Sequence, residues 1–180
     1  MKNLLLIFVL IFTISSCKKT QSDNTQLNNN DSTEKRYEGE YFNFDFPDDW
    51  NITDSEGLEE GVYFLSVEKD GLDSSGLFTV VSFDEEIDLD NLVSINLEQL
   101  QNNPVIANLK FDSIRDAEFN HIKSRTSNFT FSTLGIRHEG SISAFNGDKN
   151  SYVTLKQGSL EDKNKNSNGF STIENSFETK

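Results

Sequence analysis

The chain has 180 residues, of which 16 are basic and 30 acidic, giving a net charge of −14. That charge argues against a nucleic-acid partner, which demands a basic face, and against electrostatic adhesion to anionic lipid. One cysteine has no disulfide partner, so a folded part must rely on its apolar core, supplied chiefly by 15 phenylalanines and one tryptophan.

The chain opens with Lys2, an apolar run from Leu4 to Phe12, and the sequence Ile14-Ser15-Ser16-Cys17. A basic start, an apolar stretch of about eleven residues and small residues before a cut form the three parts of a secretory signal. The apolar stretch falls short of the roughly 20 residues that span a bilayer. With cysteine at the cut, the layout resembles a bacterial lipoprotein signal and its lipobox. The resemblance implies that residues 1–16 are removed and that Cys17 carries a thioether-linked diacylglycerol and an N-acyl chain such as palmitate. Two or more chains make a stable membrane anchor. Lys18 stands where an aspartate commonly signals inner-membrane retention, so the resemblance points to the outer membrane of a two-membrane cell envelope.

Residues 17–37 read as the lipidated cysteine and a flexible polar tether. From Lys18 to Arg36 the only aliphatic side chain is Leu27, too little apolar surface to offset the entropy of ordering. A coil of roughly 20 residues reaches about 25 Å.

Residues 38–180 read as one domain. Phe42, Phe44 and Phe46 alternate with Asn43 and Asp45, the pattern of a strand with one buried face, and Pro47 to Trp50 makes a turn. Residues 62–67 and 77–83 are further strands. The acids from Asp84 lead into a helix capped by Asp88 or Asp90. Leu89, Leu92, Val93, Leu97 and Leu100 share one face of it, and Asn102-Asn103-Pro104 stops it. Strands over 109–117 and 119–131 follow. Leu134, Ile136, His138, Ile142 and Ala144 then mark the apolar side of an alternating strand. Asn146-Gly147 is a hairpin signal before a last strand at 152–156. A polar loop over 161–168 precedes a final helix with Phe170, Ile173 and Phe177 on one side, docked on strands that carry Phe44, Val80 and Ile142. Strands with one central and one terminal helix make an α+β domain.

Two stretches resemble the PsbP-like superfamily. Residues 41–50, Tyr-Phe-Asn-Phe-Asp-Phe-Pro-Asp-Asp-Trp, are similar to its opening strand and Pro-x-x-Trp turn. Residues 170–177, Phe-Ser-Thr-Ile-Glu-Asn-Ser-Phe, are similar to its closing helix. The superfamily includes a photosystem II extrinsic subunit, a Ran-binding nucleotide-release factor and DcrB-like bacterial lipoproteins. The resemblance implies a central antiparallel β-sheet flanked by helices on both faces, an α/β/α sandwich. It offers no shared catalytic residues and implies a role in binding or assisting other proteins.

No motif of a hydrolase elbow, phosphate loop or dinucleotide fold occurs, and His121 and His138 lack the companions of a zinc site. His138 is expected at a satisfied core or edge position, His121 in a solvated turn, and Trp50 in the core. Three acidic groups are candidate calcium loops: Asp45/Asp48/Asp49, Asp70/Asp73, and Asp84/Glu85/Glu86/Asp88/Asp90. The weak candidate binding loops are thus Asp70, Asp73, Asp84, Glu85 and Glu86. The expectation is a membrane-anchored, non-enzymatic module that binds another envelope protein and needs no cofactor. The alternative is a carboxylate- or calcium-dependent envelope hydrolase.

Overall fold

The computed structural model describes residues 34–71 and 75–180. Cys17, the signal segment and Asp73 lie outside them. The elements are β1 (Glu34–Glu38), β2 (Phe42–Pro47), β3 (Trp50–Glu59), β4 (Val62–Lys69), β5 (Leu77–Phe83), α1 (Leu89–Asn102), β6 (Ala107–Phe111), β7 (Arg115–Phe119), β8 (Ile122–Thr133), β9 (Ile136–Asn146), β10 (Ser151–Ser159), α2 (Lys163–Ser176) and β11 (Glu178–Thr179). An eight-stranded sheet runs β3-β4-β5-β10-β9-β8-β6, with β7 also on β8, and a three-stranded sheet runs β1-β2-β11. Every pairing is antiparallel. The fold is α+β and mostly strand. Among the described residues no helix is long and apolar enough to cross a membrane.

Alternation along the strands feeds two separate cores. Phe78 and Val80 of β5 and Tyr152 of β10 join Phe42, Phe44, Phe46, Trp50, Ile173 and Phe177. Their neighbours Val81, Phe83, Val153 and Leu155 join Phe129, Phe131, Ile142 and the α1 residues Leu92, Val93, Leu97 and Leu100. The apolar face read for α1 is therefore the face it buries. Asp88 caps the helix, its Oδ1 accepting the Asn91 amide at 2.8 Å.

Several expectations need correction. β1 pairs with β2 from Glu34↔Pro47 onward, so residues 34–37, read as tether, are strand. β3 was not expected, because its Asp, Ser and Glu residues are mostly exposed and show no apolar alternation. The strand expected over 109–117 is two, β6 and β7, broken where the Asp112 amide turns to the Asn128 carbonyl at 2.9 Å. α2 begins at Lys163, inside the expected loop, and Phe177 is its C-cap instead of a helical residue. Ile142 packs with α1, not beneath α2. Leu134 is not on a buried strand face but at the β8–β9 turn, 95% exposed. There Leu134 (φ 51°) and Gly135 (φ 86°) are both left-handed, a turn that favours Asn or Gly in its first place. A leucine in that conformation costs about 1–2 kcal/mol.

Trp50 is fully buried at the start of β3. A Cβ on Gly169 of α2 would lie 2.2 Å from its Cε2, and one on Gly76 would lie 2.7 Å from its Cη2. The two glycines let α2 and the start of β5 close on the indole, whose flank meets Phe170 edge-on at 5.2 Å.

Two substitutions test this packing. Phe177→Ala should cost about 3–5 kcal/mol, read as a lower urea midpoint with an unchanged slope; a midpoint like the parent's would make the terminal segment peripheral. Gly169→Ala should cost about 1–3 kcal/mol and shift the emission of the single tryptophan, whereas unchanged emission would separate α2 from Trp50.

Candidate functional site

The described surface holds a cleft of about 490 Å³ between α2 and the sheet. Register builds its floor in two cross-strand rows. Asn128, Ser141 and Lys156 form one; Thr130, Glu139 and Gly158 form the next. The intervening positions Phe129 and Phe131 point into the α1 core, so the polar positions are left toward α2. The helix wall is Lys163, Ser167, Phe170, Ser171 and Glu174, spaced i, i+4, i+7, i+8 and i+11 on one face. Two ion pairs tie floor to wall: Lys156 to Glu174 at 2.6 Å and Lys163 to Glu139 at 2.9 Å. Lys156 Nζ also lies over the Phe170 ring at 6.0 Å.

Chemically the cleft offers ion-pairing and hydrogen-bonding groups around one aromatic ring. Its serines have no histidine or cysteine beside them, and both carboxylates are matched by a lysine. Half-buried Phe170 supplies one apolar contact among hydrogen-bonding groups.

A buried network fixes the start of the helix wall. Asp162 Oδ2 accepts from Ser75 Oγ at 2.9 Å and Ser159 Oγ at 3.0 Å, and Oδ1 meets Lys165 at 2.9 Å. The Lys165 contact first, then Ser75 and Ser159, hold its carboxyl below the ordinary range.

The acids singled out from the sequence are used differently. A second depression, of about 550 Å³, holds Glu86, Asp88, Asp90, Arg125 and Asn146 at the start of α1. Asp88 is spent as the helix cap. Asp90 and Asp116 share Arg125, raising the guanidinium pKa through those hydrogen bonds. The Glu86 carboxylate accepts from Asn146 Nδ2 at a long 3.5 Å. Glu85 uses its carbonyl to accept the Ser151 amide at 3.2 Å. Asp84 is exposed and packs over Gly61, where a Cβ would meet its carboxylate at 2.1 Å. Asp45 pairs with Arg36, Asp49 with Lys69, and Asp70 donates its amide to the Asp49 carbonyl. Among the described residues no three of His, Cys, Asp and Glu gather as a metal-holding group. His121 is exposed in the β7–β8 turn with φ 66°. His138 stacks on Phe131 at 4.9 Å, but its Nδ1 is buried without a hydrogen-bond partner. It is therefore not the satisfied histidine expected, and burial lowers its pKa.

The cleft residues were missed because none carries a catalytic signature. The available signal was the polar register Glu139, Ser141, Ser143, which marks a strand face that no apolar element covers.

The arrangement of strands and two helices is a PsbP-like fold, as comparison with solved structures shows. Cyanobacterial PsbP (CyanoP) from Synechocystis is similar at TM-score 0.58 and 11% identity, over 93% of this chain and 99% of that one. LpqN, involved in cell envelope biogenesis of Mycobacterium tuberculosis, is similar at TM-score 0.50 and 9% identity, over 81% and 84%. A protein from Bacteroides thetaiotaomicron is similar at TM-score 0.53 and 13% identity over 83% of this chain, which spans about half (49%) of that one. No family model matches the sequence, nor does any curated protein sequence.

The Asp162 network predicts an acid response. The folded carboxyl has the lower pKa, so as pH falls the unfolded chain takes up its proton first, and the stability present above about pH 3.9 is lost below it. Between about pH 5 and about pH 3 the melting temperature of Asp162→Asn should fall less than the parent's; equal falls would assign the acid sensitivity elsewhere.

Proposed function

We propose that the chain is a lipoprotein anchored through Cys17, a non-enzymatic binding or assembly module of the cell envelope that offers the α2 cleft to a protein partner. The observation that carries this reading is Ile14-Ser15-Ser16-Cys17 after an apolar run too short to span a bilayer. LpqN's involvement in envelope biogenesis supports the compartment, and a cleft without a nucleophile and its base supports binding over turnover. We further infer the layer order helix–sheet–helix, which the alternate membership of β5 and β10 in the two cores supports.

Cys17→Ser should leave the chain unacylated by mass and shift it out of the membrane fraction. Unchanged mass and fractionation would overturn the anchor. A photo-crosslinking residue at Ser171, in the cleft, should trap one discrete adduct in intact cells, and the same residue at Asp148 should not. Equal trapping at both sites, or turnover of a substrate by the purified protein, would overturn the binding reading.

A further inference from the structure

We propose that the β8–β9 hairpin tip is a second membrane contact, which seats the lower end of the domain on the lipid bilayer. The proposal rests on the anchoring reading above and adds an orientation to it.

The tip is apolar where a turn is ordinarily polar. Leu134 is 95% exposed, Ile136 52% and Val105 47%. They are neighbours: Thr133 pairs with Ile136, and Thr133 Oγ1 donates to the Val105 carbonyl at 3.1 Å. Leu134 takes the left-handed backbone that Asn or Gly would take with ease, and among the described residues no side chain covers it.

The path of the chain names the occupant. Register carries one row across the sheet, from Trp50↔Lys69 through Glu68↔Leu77 and Gln157↔Leu77 to Gly158↔Glu139. The hairpin tip projects beyond this row. Glu34, where the described chain begins, pairs with Pro47 beside it, and Lys35 Nζ donates to the Trp50 carbonyl at 2.9 Å. The described chain thus begins at the same end of the sheet as the tip. Cys17 stands 17 positions before Glu34, so a domain anchored there is held from the end that carries the tip.

Exposed Arg137 and Lys110 flank the apolar residues, cationic groups that an anionic surface attracts.

The test uses the full lipidated chain on vesicles of phosphatidylethanolamine and phosphatidylglycerol. Because Cys17 is the only native cysteine and is acylated, Leu134→Cys offers a single thiol for an environment-sensitive fluorophore. Asp148→Cys is the control at the far end. A quencher on the lipid acyl chains should reduce emission from position 134 several-fold more than from position 148. Equal quenching, or none, on a chain that floats with the vesicles overturns the tip contact and leaves the anchor standing. A chain that does not float and takes a second label at Cys17 overturns the anchor and the orientation with it. A blue shift at 134 that follows protein concentration instead of lipid assigns the tip to a second copy and overturns the bilayer.

Discussion

The ring of Phe177 is where the two sheets and the last helix meet. It stacks on Phe42 at 5.4 Å and Phe44 at 6.2 Å and stands edge-on to Phe119, Phe145 and Tyr152. Such pairs add about 0.5–1.5 kcal/mol each beyond burial. Polar contacts hold the backbone around it: Asn120 Nδ2 donates to the Phe177 carbonyl at 2.8 Å, and the Asp45 amide donates to Ser176 Oγ at 2.7 Å. β1 and β11 can then flank β2, so that strand is paired on both sides. α2 depends on the same contact. Its Asn- and Ser-rich sequence has weak helix propensity, and docking of Asn166, Gly169 and Ile173 compensates for it.

Elements with one apolar face were legible in the sequence. β2, β4, β5 and α1 carry a period of two or 3.6 that leaves little choice of face. The misses share a physical cause, which is that partner and turn geometry, not local pattern, define those segments. β1 and β3 are rich in charge and become strands because β2 and β4 offer paired edges. Residues 109–117 hold a plausible single strand, but β8 accepts β7 along one half of its edge and β6 along the other. Leu134 continues an apolar alternation into a turn whose position is set by the left-handed pair with Gly135, and alternation carries no information about backbone sign.

The candidate site was less legible. Carboxylate runs attract attention in an acidic chain, yet the structure spends Asp88 on a cap and Asp45, Asp49 and Asp90 on cations of the chain itself. The cleft instead comes from an omission. Asn128, Thr130, Ser141 and Ser143 occupy alternate positions on strands whose other positions are Phe129, Phe131 and Ile142, and α2 packs chiefly on β2 and β10. Such a surface needs the tertiary position of α2 to be seen, because each strand alone reads as an ordinary half-buried strand.

The position of the cleft within the fold bears on what it can receive. Its floor rows, Lys156 and Gly158 with their partners, lie toward the end of the sheet where Glu34 enters, and the wall starts at Lys163 on that same end. Under the proposed anchor, a partner in the cleft would be held close to the lipid surface. The Lys156–Glu174 and Lys163–Glu139 pairs are partly solvated and contribute little to stability, about 0–1 kcal/mol each. Exchanging one for a contact to a partner therefore sacrifices little of the fold. The cleft can open its polar groups to a ligand while Trp50 and Phe177 keep α2 in place. The side chains that hold α2 and those that line the cleft lie on adjacent faces of the helix, and Phe170 touches both Trp50 and the cleft.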